Sequence, residues 1–148
     1  MVLKKLLLTC VCVTLAACGG VDPESPLGKR QALFKQMLKV SEDLGGMLRN
    51  RIPYDEAAFI SGAAELDRLS REPWQHFPSV VDDERSKASP EVWQRQEQFQ
   101  KMARDLEQTT AALVQATTTP PLRRSELEPA VQAVEDSCEA CHKAFRAY

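Results

Sequence analysis

Toward the end of the chain the apolar side chains fall at Leu127, Val131, Val134, Cys138, Cys141 and Phe145, at intervals of four, three, four, three and four residues. An α-helix brings such positions to one face, whereas a strand requires alternation by two. A helix with one apolar face must pack against others. Three earlier segments carry the same demand. Residues from about 29 to 50 place Leu33, Met37, Val40, Leu44 and Met47 at similar steps, and those from about 54 to 71 place Phe59, Ala63, Leu66 and Leu69 on one face. The third segment begins at Ser89-Pro90-Glu91 and carries Val92, Phe99, Met102, Leu106 and Leu113. No stretch reads as a convincing strand. The expected fold is all-α, an antiparallel four-helix bundle.

Local signals punctuate these segments. Pro53 separates the first two, and "EPWQHFPSVVDDERSKAS" reads as a long connection. Ser89 offers a capping hydroxyl, Pro90 suits the first helical position, and Glu91 places an acid in the first turn. The third helix fades in "TTTPP". The fourth is expected to open near Ser125, with Glu128 placed for a capping box and Pro129 still in the first turn. Trp74 and Trp93 read as packing anchors beside the long connection, and His76 as an exposed loop histidine.

The opposite end places the chain outside the cytoplasm. "MVLKKLLLTCVCVTLAAC" has two lysines and then an apolar run of about a dozen residues, the layout of a secretory signal and too short to span a bilayer. "LAAC" resembles a bacterial lipobox, in which Cys18 becomes the lipid-modified first residue; the competing reading is an ordinary signal peptide cut nearby. Residues 1–17 are then the signal, 18–27 a polar tether of roughly 35 Å reach at most, and 28–148 the folded domain. Gly19, rather than aspartate, follows the cysteine and favours the outer membrane, facing the periplasm. Of five cysteines only Cys138 and Cys141 remain for chemistry. Loss of Lys4 and Lys5 moves the formal charge from −2 to about −4, a mildly acidic surface with no basic patch for nucleic acid.

Those cysteines stand in "CEACH", with His142 directly after the second and one turn from Cys138. Zinc fits poorly, because a structural site wants four ligands and His76 is the other histidine. A redox dithiol fits poorly too, since it belongs at a helix N-terminus where the dipole lowers a thiol pKa. C-x-x-C-H is the attachment pattern of c-type haem: the thiols form thioethers with two vinyl groups, and the histidine binds iron. One covalent haem c per chain, held inside the bundle, is the expectation. No nucleophile triad, phosphate loop or catalytic acid pair is present, and no enzyme activity is expected beyond what a haem does by itself.

A helical bundle with C-x-x-C-H in its last helix, then an aromatic and arginine, resembles the cytochrome c prime family. "CEACHKAFR" is similar to that family's C-x-x-C-H-x-x-[YF]-R, and "RQALFKQM", "PYDEAAFI", "EPWQHF" and "SPEVWQ" follow in the family's order. The resemblance covers about residues 28–148. It implies His142 as proximal ligand, a vacant sixth position and five-coordinate high-spin iron, with the first helix over the opposite haem face. There the family's pattern falls on Arg30, Gln31 and Phe34, with Arg30 and Gln31 near the haem edge and the arginine suited to a propionate. Arg146, one turn beyond His142, is expected by the proximal side or a propionate.

Phe34 then decides the ligand class. An apolar ring gives no hydrogen bond and blocks water, which favours nitric oxide and carbon monoxide over oxygen and anions. The competing residue is Met37, about one turn away, whose thioether as sixth ligand would make an electron carrier that docks to a redox partner protein. The resemblance also implies pairing into homodimers through the first two helices.

Overall fold

A computed structural model describes residues 20–78 and 85–147; Cys18 and the signal segment lie outside the described residues. Four long helices form the fold: α1 (Pro26–Leu48), α2 (Glu56–Ser70), α4 (Gln96–Ala116) and α5 (Arg124–Phe145), with a single-turn helix α3 (Glu91–Gln94) before α4. A 3-10 turn, Pro73–His76, follows α2. Helix α1 packs on α2, α2 on α4, α4 on α5, and α5 back on α1, closing the bundle. No helix among the described residues is long and apolar enough to cross a membrane.

Helix α1 starts inside the stretch expected to be tether. Ser25 Oγ accepts from Gly28 N at 3.0 Å and Pro26 sits in the first turn, the same cap-and-proline signal read at Ser89-Pro90. Leu27 is accordingly buried. At α2 the Asp55 carboxylate accepts from Ala58 N at 2.8 Å. Gly62 lets α2 approach α1 closely, because a Cβ there would stand 3.0 Å from Leu44 Cδ2.

Two predicted starts are corrected. The third segment is not one helix: Arg95, at φ −123° and ψ 50°, interrupts it between α3 and α4. Ser89 contributes its carbonyl to Val92 N (3.1 Å), and no side chain caps α3. Helix α5 begins at Arg124 with no side-chain cap, so the Ser125–Glu128 box is not formed. Pro129 lies six residues into α5, past the first turn, and withholds the amide that Ser125 O would otherwise meet. Tertiary contacts set this start instead. Arg124 Nη2 donates to Leu48 O at 2.8 Å, and Leu122 N donates to Glu56 Oε2 at 2.6 Å.

The core divides into two clusters. The larger joins all four long helices through residues such as Leu44, Phe59, Leu66, Leu113, Leu127 and Val134. Inside it the buried hydroxyls of Ser70 and Thr110 meet at 3.0 Å, with Thr110 also donating to Asp67 Oδ1, so the polar pair is satisfied. The smaller cluster is aromatic: Val92, Phe99 and Phe145, with Trp74, Phe77 and Trp93 against them.

Candidate haem site

Helix α5 carries the C-x-x-C-H residues in its last two turns, and its end is fixed by the chain that precedes α3. Ser89 N donates to Phe145 O at 2.8 Å and Ala147 N to Lys87 O at 2.8 Å, an isolated antiparallel bridge pairing Ala88 with Arg146. Arg95 adds a hydrogen bond to Ala144 O at 3.1 Å and lies 5.0 Å over the Phe145 ring.

The apolar stripe of α5 behaves as its spacing demands at Leu127, Val131, Val134 and Phe145, which are buried. Cys138 and Cys141 are half-buried free thiols. Cys138 packs against the large core and Cys141 against the aromatic cluster. Burial pushes both thiols up, Cys141 to about 11, with Cys138 adding to it; Glu135 adds to the rise at Cys138. A redox dithiol needs the opposite shift. Among the described residues no group of three or more His, Cys, Asp or Glu could hold a bare metal ion, which also argues against zinc.

His142 is exposed on the margin of the same face. Enough protein still surrounds it that desolvation, and next the Arg146 charge, hold its pKa below the usual histidine value. At neutral pH the imidazole is therefore uncharged, the form that can bind a metal. Arg146 is exposed and donates its backbone N–H to His142 O at 3.0 Å.

Across the bundle, Phe34 on α1 is half-buried with its ring 5.9 Å from Trp74 in an edge-on pair. Phe34 and Cys138 border the same core cluster. Met37 lies deeper, buried within that cluster. Arg30 is not a surface residue: it is 3% exposed, donates to His76 O and Ser86 Oγ at 3.0 Å each, and stands 4.6 Å over the Phe77 ring. Desolvation by burial lowers its pKa. Gln31 is exposed and reaches Arg85 O at 3.5 Å. His76 is half-buried at the end of the 3-10 turn rather than exposed.

The structure adds residues that the spacing of helices could not supply. Trp74, placed by a turn and not by a helix stripe, joins both clusters and bridges Phe34 to Phe99, whose ring is 5.8 Å away. Phe99 continues the chain to Phe77 at 4.8 Å and Phe145 at 5.3 Å. The aromatic residues of "EPWQHF" were the signal, but nothing in a loop's sequence says which helix it will cover. A cavity of about 540 Å³ lies beside this group, lined by Trp74, Phe77, Trp93 and Phe99 among others; neither cysteine nor His142 lines it.

These residues fit a haem c. Two half-buried thiols one turn apart border the two core clusters, a neutral imidazole follows, and those clusters are apolar and aromatic. The buried Trp74 Nε1 has no hydrogen-bond partner among the described residues, an uncompensated donor of the kind a carboxylated cofactor satisfies.

Comparison with known proteins agrees. The family model described as Cytochrome C' matches residues 25–146. The chain is 28% identical over 147 residues to a cytochrome c' of Cereibacter sphaeroides, covering 97% of both chains. Its fold is similar to that of cytochrome c prime from Shewanella frigidimarina, with a TM-score of 0.79 at 25% identity over 88% of this chain and all of the other. A nitric oxide complex of a single-residue variant of cytochrome c prime from Alcaligenes xylosoxidans gives a TM-score of 0.76 at 25% identity, over 88% of this chain and 99% of the other; another variant of that protein carries carbon monoxide. With motif, fold and full-length likeness in agreement, the chain belongs to the cytochrome c prime family.

Proposed function

We propose that this protein is a membrane-anchored haem protein of the periplasm whose five-coordinate iron captures nitric oxide or a similar neutral diatomic. The observation that carries the reading is Phe34, a half-buried ring on α1 that borders the same core cluster as Cys138 and is braced by Trp74. The nitric oxide and carbon monoxide complexes of the Alcaligenes xylosoxidans protein support it.

Covalent haem c, one per chain, is the cofactor of this family, and when bound it supplies iron with an exchangeable coordination position. Cys138 and Cys141 hold it through thioethers, and His142 offers its neutral imidazole. Phe34 excludes water and offers no donor. Retention of dioxygen needs such a donor, whereas nitric oxide and carbon monoxide do not, so the ring sorts ligands by polarity as well as by size. Arg30 and Gln31, in the turn before Phe34, are assigned to the haem edge, and Arg146 to the proximal side. The spectrum of the purified ferric protein tests the reading. A high-spin spectrum without a sixth ligand is expected, and a low-spin one would overturn it.

Two further outcomes follow from the attachment residues. After acid-acetone extraction the colour should stay with the polypeptide, and haem released into the solvent would contradict thioether attachment at Cys138 and Cys141. The lipid anchor rests on "LAAC" and is read directly by mass spectrometry of the mature chain from its native host. A diacyl or triacyl addition at Cys18 is expected, and a free N-terminus elsewhere would remove the anchor from the proposal. The outer membrane, facing the periplasm, is the assigned location; docking to a redox partner and homodimer formation through α1 and α2 remain proposals on the family resemblance.

A further inference from the structure

The ring that shields the distal face does not stand alone. Phe34 meets the edge of Trp74 at 5.9 Å, with the planes at 68°. Trp74 meets Phe99 at 5.8 Å and 79°, and Phe99 meets Phe145 at 5.3 Å and 80°. Each step is an edge-to-face pair within the range where the ring quadrupoles attract. The series starts on α1, passes through the 3-10 turn and α4, and ends on α5 three residues after His142. Phe99 and Phe145 are buried, and so held by packing on all sides. Phe34 is half-buried, held by the main core it packs against and by its pair with Trp74.

We infer that Trp74 is a positioning residue for gas entry: its indole holds the Phe34 ring over the distal face and so sets how often that face opens. The inference rests on the proposed role of Phe34. Trp74 acts through the ring it braces and need not touch the entering ligand.

The test is a double-mutant cycle on the holoprotein, read by carbon monoxide association after flash photolysis. Loss of one aromatic pair corresponds to about a three- to tenfold change in the equilibrium between closed and displaced ring. Trp74→Leu should therefore raise the association rate about three- to tenfold in the parent and leave it unchanged in Phe34→Ala. Trp74→Phe, which keeps an aromatic edge, should fall between, and it carries the test alone if the leucine variant does not fold. Equal acceleration in both backgrounds would mean that Trp74 acts without Phe34 and would overturn the inference, as would no acceleration in the parent. A low-spin ferric spectrum in the unmodified protein would instead sink the gas-binding reading. Crystal structures would then decide the point about Trp74: a displaced Phe34 ring in Trp74→Leu supports it, and an unmoved ring refutes it.

Discussion

Phe34→Ala should accelerate carbon monoxide association by roughly ten- to a hundredfold and move the ferric spectrum toward a water-bound form. The magnitude follows from what the ring must give up when it swings aside. It loses the edge contact with Trp74, about 0.5–1.5 kcal/mol. It also loses part of its burial, which for a whole phenylalanine is worth about 1.5–3 kcal/mol and here applies to a half-buried ring. Together these come to roughly 1.5–3 kcal/mol, and each 1.4 kcal/mol is about a factor of ten in rate. Truncation removes the whole gate at once, whereas Trp74→Leu loosens one of its two supports and should show the smaller effect.

Met37 provides the opposite, equally definite pattern. It lies one turn from Phe34 but is buried in the main core. Met37→Ala should therefore cost about 2–5 kcal/mol of stability and leave the coordination number alone. A parent spectrum that is low-spin and becomes high-spin only in Met37→Ala would make Met37 the sixth ligand and the protein an electron carrier. The bound thioether would then have to leave before any diatomic entered.

Helix stripes were legible because burial enforces them. Leu44, Leu66, Leu113 and Val134 are fixed by spacing alone, and all are buried. C-x-x-C-H was legible because its chemistry needs those residue types in that order. Helix starts were less so: Ser25-Pro26 lies within a polar stretch whose composition reads as tether, and α5 starts where Arg124 and Leu122 find partners on α1 and α2 rather than at its own capping residues. Arg30 shows a further limit. The family resemblance places it near the haem edge, but its spacing does not announce that the 3-10 turn and Ser86 close over it, contacts 46 and 56 residues away. Trp74 was legible as a packing anchor, but not its partners, since a loop has no periodicity to declare which face it covers. Sequence period reports a helix's own face; it does not report what a distant turn will lay across it.

Two buried phenylalanines of one bundle separate packing from haem function. Phe59 is fully buried on α2 with Tyr54 6.0 Å away, and it belongs to the main core. Phe99 is 6% exposed on α4 and sits in the cluster that Cys141 borders, in contact with the rings of Trp74, Phe77 and Phe145. Replacing either by alanine leaves a cavity of similar origin and should cost about 3–5 kcal/mol, a large share of the roughly 5–15 kcal/mol that holds a domain folded. Guanidinium unfolding should show comparable losses. Their effects on the haem should nonetheless differ. Phe99→Ala removes a ring against which Trp74 packs, so the brace on Phe34 loosens and carbon monoxide association should rise, by less than in Trp74→Leu. Phe59 pairs its ring with Tyr54 instead, so Phe59→Ala leaves the aromatic series complete and should leave the spectrum and the association rate within about twofold of the parent. If both variants accelerated association equally, the rate would be following overall stability, and the aromatic series would have no special part in guarding the distal face.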